Sequence, residues 1–160
     1  MEPNIKNIEK LKSLVNNIGI AMLVTVNEAK EVNSRPISTA DIDTEGNIWF
    51  FTDEFSDKAN EISFNNEVVI TYTSPSLKRC ISIHGNASLI NDIDQIKDLW
   101  NPAFKPWFPE AETDDTVRLL KVSPSHIEYW DGGSSKMVIS SNKTNTYKKK
   151  GNHHLESKNN

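Results

Sequence analysis

The chain has 160 residues, with 18 Lys and Arg against 22 Asp and Glu and a net charge of -4. That length supports one domain with its own core, and the acidic balance lacks the basic excess that dominates affinity for a phosphate backbone, which disfavours a general nucleic-acid binder. A single cysteine, Cys80, excludes an internal disulfide and any multi-cysteine zinc or iron–sulfur site.

Between Pro3 and Ile18 the apolar residues Ile5, Ile8, Leu11, Leu14, Val15 and Ile18 recur every three or four positions, which predicts an amphipathic helix ended by Gly19. The longest apolar run, Ile18 to Val26, is interrupted by Gly19 and Thr25 and falls short of the roughly 20 residues of a membrane helix. The acidic, Asn-rich start has no cationic region or apolar stretch of a secretory signal, so a soluble cytoplasmic protein without a membrane partner is expected.

Ile20 to Val26 is a β-branched run, and the polar segment Asn27 to Asn33 is a hairpin connection. Ile37, Thr39 and Ile42 form a second strand after Pro36, which suits a strand start or an edge. Thr44 to Asn47 is a turn, and Ile48-Trp49-Phe50-Phe51-Thr52 a third strand. Ser56 to Phe64 has helical spacing with Ser56 as a possible N-cap. Two strands follow, Val68 to Thr73 and Cys80 to Leu89, the latter with a bulge at Gly85. Asn91 or Asp92 caps a helix running to Trp100. Pro102, Pro106 and Pro109 then impose a loop carrying Phe104, Trp107 and Phe108. Val117 to Val122 and His126 to Trp130 read as two last strands divided by Ser123-Pro124. The domain is expected to span residues 1–135, with a polar, flexible tail over 136–160. Hairpin-length connections cannot host parallel crossovers, so the expected fold is mainly β (α+β), a small antiparallel barrel with helical covers.

The densest chemistry lies between Arg35 and Lys58. A helix start offers unpaired N–H groups, Ser56 adds a hydroxyl and Lys58 a positive charge, which together make a phosphate cradle. If the second and third strands pair, Arg35 approaches the same region, and the backbone of Ile37 to Thr39 can meet a planar heterocycle. A flat aromatic ligand with a phosphate tail fits that set. The same residues also read as ordinary structure: an N-cap at Ser56, a solvated Lys58, an ion-paired Arg35, and strand aromatics at Phe50 and Phe51.

The run SRPISTADIDTEGNIWFFTDEFSDKANEISFNNEVVITY resembles the signature of the pyridoxamine-phosphate-oxidase-like flavin-binding split barrels, in particular their general stress protein branch. The resemblance continues through Ile83 to Ala87, Leu99-Trp100, Trp107-Phe108-Pro109 and Ile127 to Asp131, so it covers about residues 5 to 131. It implies a six-stranded antiparallel split β-barrel, a homodimer, and FMN in two clefts at the dimer interface. Deazaflavin or haem are alternative cofactors within the superfamily.

By position, the resemblance puts the flavin ring and ribityl chain against Arg35, Pro36, Ile37, Ser38 and Thr39 on one strand and Phe51 and Thr52 on the next. It puts the phosphate at Ser56, Asp57 and Lys58. Asp57 departs from the basic residue usual in the oxidase proper, and Cys80 replaces an amide side chain. Trp130 matches a tryptophan sent toward the partner's flavin, while its other reading is a core aromatic. The Arg and His set that grips the vitamin phosphate is absent after Asp131, which argues against pyridoxamine-phosphate oxidase activity.

The expected function is that of an FMN-dependent oxidoreductase of the general stress type, with an unidentified small-molecule electron donor or acceptor and no assignable catalytic acid or base. The alternative is a non-catalytic flavin-binding, storage or sensing protein. The loop Asn101 to Pro109 is expected to close over the cleft through Trp107, with Phe104 more suited to plugging the barrel. Cys80 reads as a small buried hydrophobe and His84 as a solitary structural histidine, so no metal site is expected. Tail residues His153 and His154 can bind a transition metal weakly.

Overall fold

Each strand ladder in the computed structural model is antiparallel, and together the ladders close a barrel. The structure describes residues 5–15, 18–53, 57–106, 115–132 and 134–140, with backbone alone for 5–6, 57–58, 103 and 134–140. Strands β1 (Ile20–Val26), β2 (Val32–Ile42), β3 (Ile48–Asp53), β4 (Glu67–Ser74), β5 (Arg79–Ile90) and β6 (Val117–Asp131) lie in the order β3-β2-β1-β4-β5-β6, and β6 returns to pair with β3. This is a six-stranded antiparallel barrel, the fold class expected from the sequence. A seventh strand, β7 (Ser134–Ser140), adds to the distal half of β6.

Alternation along the strands sorts side chains into two layers. Leu23, Phe50, Ile70, Tyr72, Ile83, Leu120, Val122 and Ile127 fill the barrel, and the stripe Ile8, Leu11, Leu14 and Val15 of helix α1 (Ile5–Val15) packs into the same cluster. The aromatic run of β3 is buried on both faces: Phe50 points inward, while Trp49 and Phe51 join Ile96, Phe104, Val117 and Leu119 in a second cluster outside the barrel. Helix α3 (Ile93–Leu99) covers that cluster, its first turn capped by the Asp92 carboxylate accepting from the amides of Asp94 and Gln95.

The β2–β3 turn forms where composition predicts it. Asp43 accepts from the backbone N–H of Glu45 and Asn47, the Asn47 amide and the Trp49 indole, all within 2.9–3.0 Å. Gly46 takes a φ of +84° beneath Ile8 of α1, where only glycine is unstrained. Burial acts to raise the Asp43 carboxyl, yet these four donors outweigh it and hold it below its usual value.

Three expectations need correction. β2 begins at Val32 and not after Pro36, which takes its other expected placement, an edge position, inside the strand and opposite Met22 of β1. The amide of Thr39 donates to Gly19 on the β1 side, so by alternation Pro36 directs its missing N–H the other way, where the β2–β3 ladder has already ended. The two expected last strands are one strand of 15 residues, β6. Pro124 is tolerated there because β6 changes neighbours around it, from β3 up to Val122 to β7 from His126. Finally, the boundary expected after residue 135 falls inside β7, whose pairing with β6 runs to Ser140. Residues 141–160 of the expected tail lie outside the described residues.

The bulge expected at Gly85 is present as a register shift between His84 and Gly85. A Cβ on Gly85 would sit 2.6 Å from the carbonyl oxygen of Ser123, so the close approach of β5 to β6 requires glycine. Among the described residues no helix is long and apolar enough to cross a membrane.

Candidate functional site

The barrel opens between β2 and β3. Their ladder ends at Thr39 and Phe50, whereas β2 extends back to Val32 and β3 runs on to Asp53 along β6. Past that point the two strands separate, and the segment Arg35 to Thr39 faces the segment Phe51 to Thr52 across the split. Alternation from the Thr39 to Gly19 bond directs the backbone N–H and C=O of Ser38, and the C=O of Pro36, toward the opening.

Side chains divide between the faces. Ile37 is buried in the barrel, and by the same alternation its backbone N–H and C=O face Ala21 of β1; Pro36 is exposed and Ser38 half-buried on the outside. The Thr39 hydroxyl lies 2.5 Å from that of buried Tyr72. Burial pushes the Tyr72 phenol up to about 12, against the pull of that hydroxyl, so Tyr72 stays protonated and anchors Thr39 as a neutral partner. Thr52 is fully buried. The Phe51 ring turns out of the barrel and meets Phe104 edge-on, with centroids 4.9 Å apart. Phe104 therefore packs on the outer face of β3 and does not plug a barrel end.

Arg35 is committed to a polar cluster. Its Nη2 donates to the Glu61 carboxylate at 2.7 Å and to the Thr25 hydroxyl at 3.1 Å. Glu61 accepts in addition from Thr25 and from the Asn33 amide. Burial would raise the Glu61 carboxyl, but the Thr25 hydroxyl, the Arg35 charge and the Asn33 amide together hold it below its usual value. Glu61 belongs to helix α2 (Asp57–Phe64), whose Ala59 and Ile62 are buried. Glu61 lies in the middle of α2, so the cluster ties that helix to β1 through Thr25 and to β2 through Asn33 and Arg35.

Of the sequence-selected residues, Arg35, Pro36, Ile37, Ser38 and Thr39 lie on β2 and Phe51 and Thr52 on its neighbour β3, and the backbone of Asp57 and Lys58 starts the helix that follows β3. Ser56, Trp107 and Phe108 lie outside the described residues. Trp130 is half-buried on the outer face of β6, directly opposite Cys80 on β5, at the far end of that ladder from Leu119 and Ile90. Cys80 is exposed, against the expectation of a buried hydrophobe, because alternation turns it outward between the inward-facing pair of β5 and β6 residues Ile81 and Tyr129 and the strand end. Sequence reasoning missed Glu61 and Thr25. Their only signal was a carboxylate one turn into α2 and a threonine on the inward face of an otherwise apolar strand.

A six-stranded antiparallel barrel whose β2–β3 ladder stops part-way along both strands is a split-barrel architecture. The profile of the "Pyridoxamine 5'-phosphate oxidase like" family matches residues 6–152, and the chain belongs to that family. No curated protein matches the sequence. Among solved structures, a protein related to general stress protein 26 from Clostridium acetobutylicum is similar with a TM-score of 0.70 and 16% identity, over 83% of this chain and 94% of that one. General Stress Protein 26 from Bacillus anthracis gives 0.67 and 23%, over 76% and 92%. A pyridoxamine 5'-phosphate oxidase-related, FMN binding protein from Nostoc punctiforme gives 0.57 and 18%, over 79% and 80%. At these identities the structural likeness establishes the fold.

Proposed function

We propose that this chain binds FMN in the split between β2 and β3 and serves as a flavin-dependent oxidoreductase of the general stress type. The observation that supports the reading is that the β2–β3 ladder stops where β2 turns backbone polar groups away from β1, while α2, the next element after β3, is tied to β2 through Glu61. A flavin ring is planar with polar edges, which suits strand backbone, and a phosphate suits the first turn of a helix. The residues assigned to the ring and ribityl chain are Arg35, Pro36, Ile37, Ser38, Thr39, Phe51 and Thr52, and those assigned to the phosphate are Ser56, Asp57 and Lys58. When bound, the flavin supplies hydride or electron transfer. The chain's own part is to orient the ring, exclude water and neutralise the phosphate. The absorbance spectrum of purified protein tests this: the visible bands of an oxidised flavin are expected, and their absence after reconstitution with FMN overturns it. Deazaflavin or haem in place of FMN would announce themselves in the same spectrum.

The homodimer is part of the reading. On β1 the outward residues Ile20, Met22, Val24 and Val26 are all apolar, and Ile20 and Met22 are 55% and 38% exposed. A strand apolar on both faces suits burial under a second layer, here a second copy that also brings Trp130 and Trp107 to the neighbouring flavin. A cytoplasmic location is proposed with it.

One observation favours a second reading, non-catalytic flavin binding. Arg35 of β2 and Glu61 of α2 are engaged with one another. Bound FMN that neither nicotinamide cofactor reduces would select this reading.

A further inference from the structure

The outer face of the β5–β6 ladder brings together two histidines that no sequence spacing connects. His84 and His126 occupy directly opposed positions in the antiparallel register, and their ring centroids lie 5.8 Å apart with planes inclined at 66°. His84 is exposed and His126 half-buried, with its Nδ1 buried, so the His126 nitrogen offered to an ion is Nε2, the one beside Glu128. The Glu128 carboxylate stands 3.7 Å from His126 Nε2 and adds negative charge at the same place. The Ser125 hydroxyl donates to the His84 carbonyl at 3.1 Å, and the Gly85 bulge fixes the strands beside the pair. The two backbones are therefore held in a rigid ladder.

Size decides what two such rings can share. With metal–nitrogen bonds of about 2.1 Å and each ring centre about 1.1 Å behind its nitrogen, two imidazoles on one ion place their centres roughly 5–6.5 Å apart, from tetrahedral to linear geometry. The observed separation falls within that span. We propose that His84 and His126 form a bidentate site for one divalent transition-metal ion of the imidazole-preferring kind, Cu²⁺, Ni²⁺ or Zn²⁺, with water at the remaining positions. Among the described residues no group of three or more His, Cys, Asp or Glu side chains encloses an ion. The site is accordingly open and exchangeable, and the fold does not depend on it. It stands apart from the flavin reading, since it needs neither the split nor α2.

Calorimetric titration of the full chain with NiCl₂ at pH about 8, where imidazole is neutral, tests the proposal. His153 and His154 are first replaced by Ala, because adjacent tail histidines bind the same ions. One Ni²⁺ per chain is expected, with affinity at least tenfold weaker in His84→Ala and in His126→Ala, a tighter complex with Cu²⁺, and no heat from Mg²⁺. Metal-free melting should be the same in His84→Ala as in the parent, and because His84 is exposed this variant reads the site even if His126→Ala fails to fold. Undiminished binding in His84→Ala, loss of all binding on removal of the tail histidines, or half an ion per chain, which would mean a bridge between copies, overturns the proposal.

Discussion

Replacing Glu61 by Gln changes one charge and almost no volume, at a point where three donors converge on a carboxylate. Thr25, Asn33 and Arg35 all donate to it, with Asn33 at 2.9 Å and Arg35 at 2.7 Å. A Gln amide keeps one acceptor oxygen and turns an NH₂ toward one of those donors, so at least one bond becomes a donor–donor contact and Arg35 loses its counter-charge. Hydrogen bonds to a charged group are worth about 1.5–3 kcal/mol, and breaking a fully buried pair costs about 3–5 kcal/mol. The Arg35 and Glu61 side chains remain 21% and 11% exposed, and solvent screening brings the expected loss down to about 2–3 kcal/mol. In urea, with a slope of about 1–3 kcal/mol per molar, the midpoint should fall by roughly 1 M at neutral pH.

The pH dependence fixes the mechanism. Glu61 titrates lower in the folded chain than its ordinary 4.5, so its contribution is complete above that value and is lost as pH falls through the folded pKa. The gap between parent and variant should therefore be full at pH 7 and narrow as acid takes the parent's carboxylate away. Combining Glu61→Gln with Arg35→Met should cost less than the sum of the two, with a coupling of about 1–2 kcal/mol. An unchanged midpoint at pH 7, a pH-independent gap, or strict additivity would refute the account of the cluster.

Three further expectations follow from the same geometry. Lys58→Ala should weaken FMN binding about 10- to 150-fold by fluorescence titration, the equivalent of one charge-assisted hydrogen bond of about 1.5–3 kcal/mol, while Lys149→Ala leaves it unchanged; equal affinities would move the phosphate elsewhere. Gly85→Ala forces a Cβ to within 2.6 Å of a backbone carbonyl, and should lower stability by about 1–3 kcal/mol in urea unfolding, with no loss meaning that β5 and β6 can part without cost. Met22→Asp on the apolar outer face of β1 should give monomers by light scattering at micromolar concentration if a second copy covers that face, and a parent that is itself monomeric removes the basis for a shared cleft.

Local pattern alone was enough for the elements whose burial repeats within a few residues. The three-and-four spacing of Ile8, Leu11, Leu14 and Val15 specifies the face of α1 that enters the core, and the aromatic run of β3 marks a strand, whose burial on both faces the structure added. Asp43 to Asn47 carries its turn in its own side chains, and Gly85 marks its bulge because a backbone approaches there. The strip from Arg35 to Thr39 and Phe51 to Thr52 is proposed as a site from the order of its residue types and its resemblance to a family signature.

What lies beside each strand was decided by the closing of the barrel. Period tells which face a side chain occupies, but register and neighbour are set by ladders between segments far apart in the chain, whose stability depends on the whole sheet. Pro36 lies inside a strand because the β2–β3 ladder has already ended where its missing N–H points, and Pro124 continues β6 because the strand changes neighbours around it. Arg35, read as a contact of the flavin ring and ribityl chain, meets Glu61 because α2 packs against β1 beside it. His84, solitary in the sequence, faces His126 only because β5 and β6 pair with a one-residue slip at Gly85. Each of these contacts joins residues that the chain keeps far apart, and only the closed sheet brings them within reach.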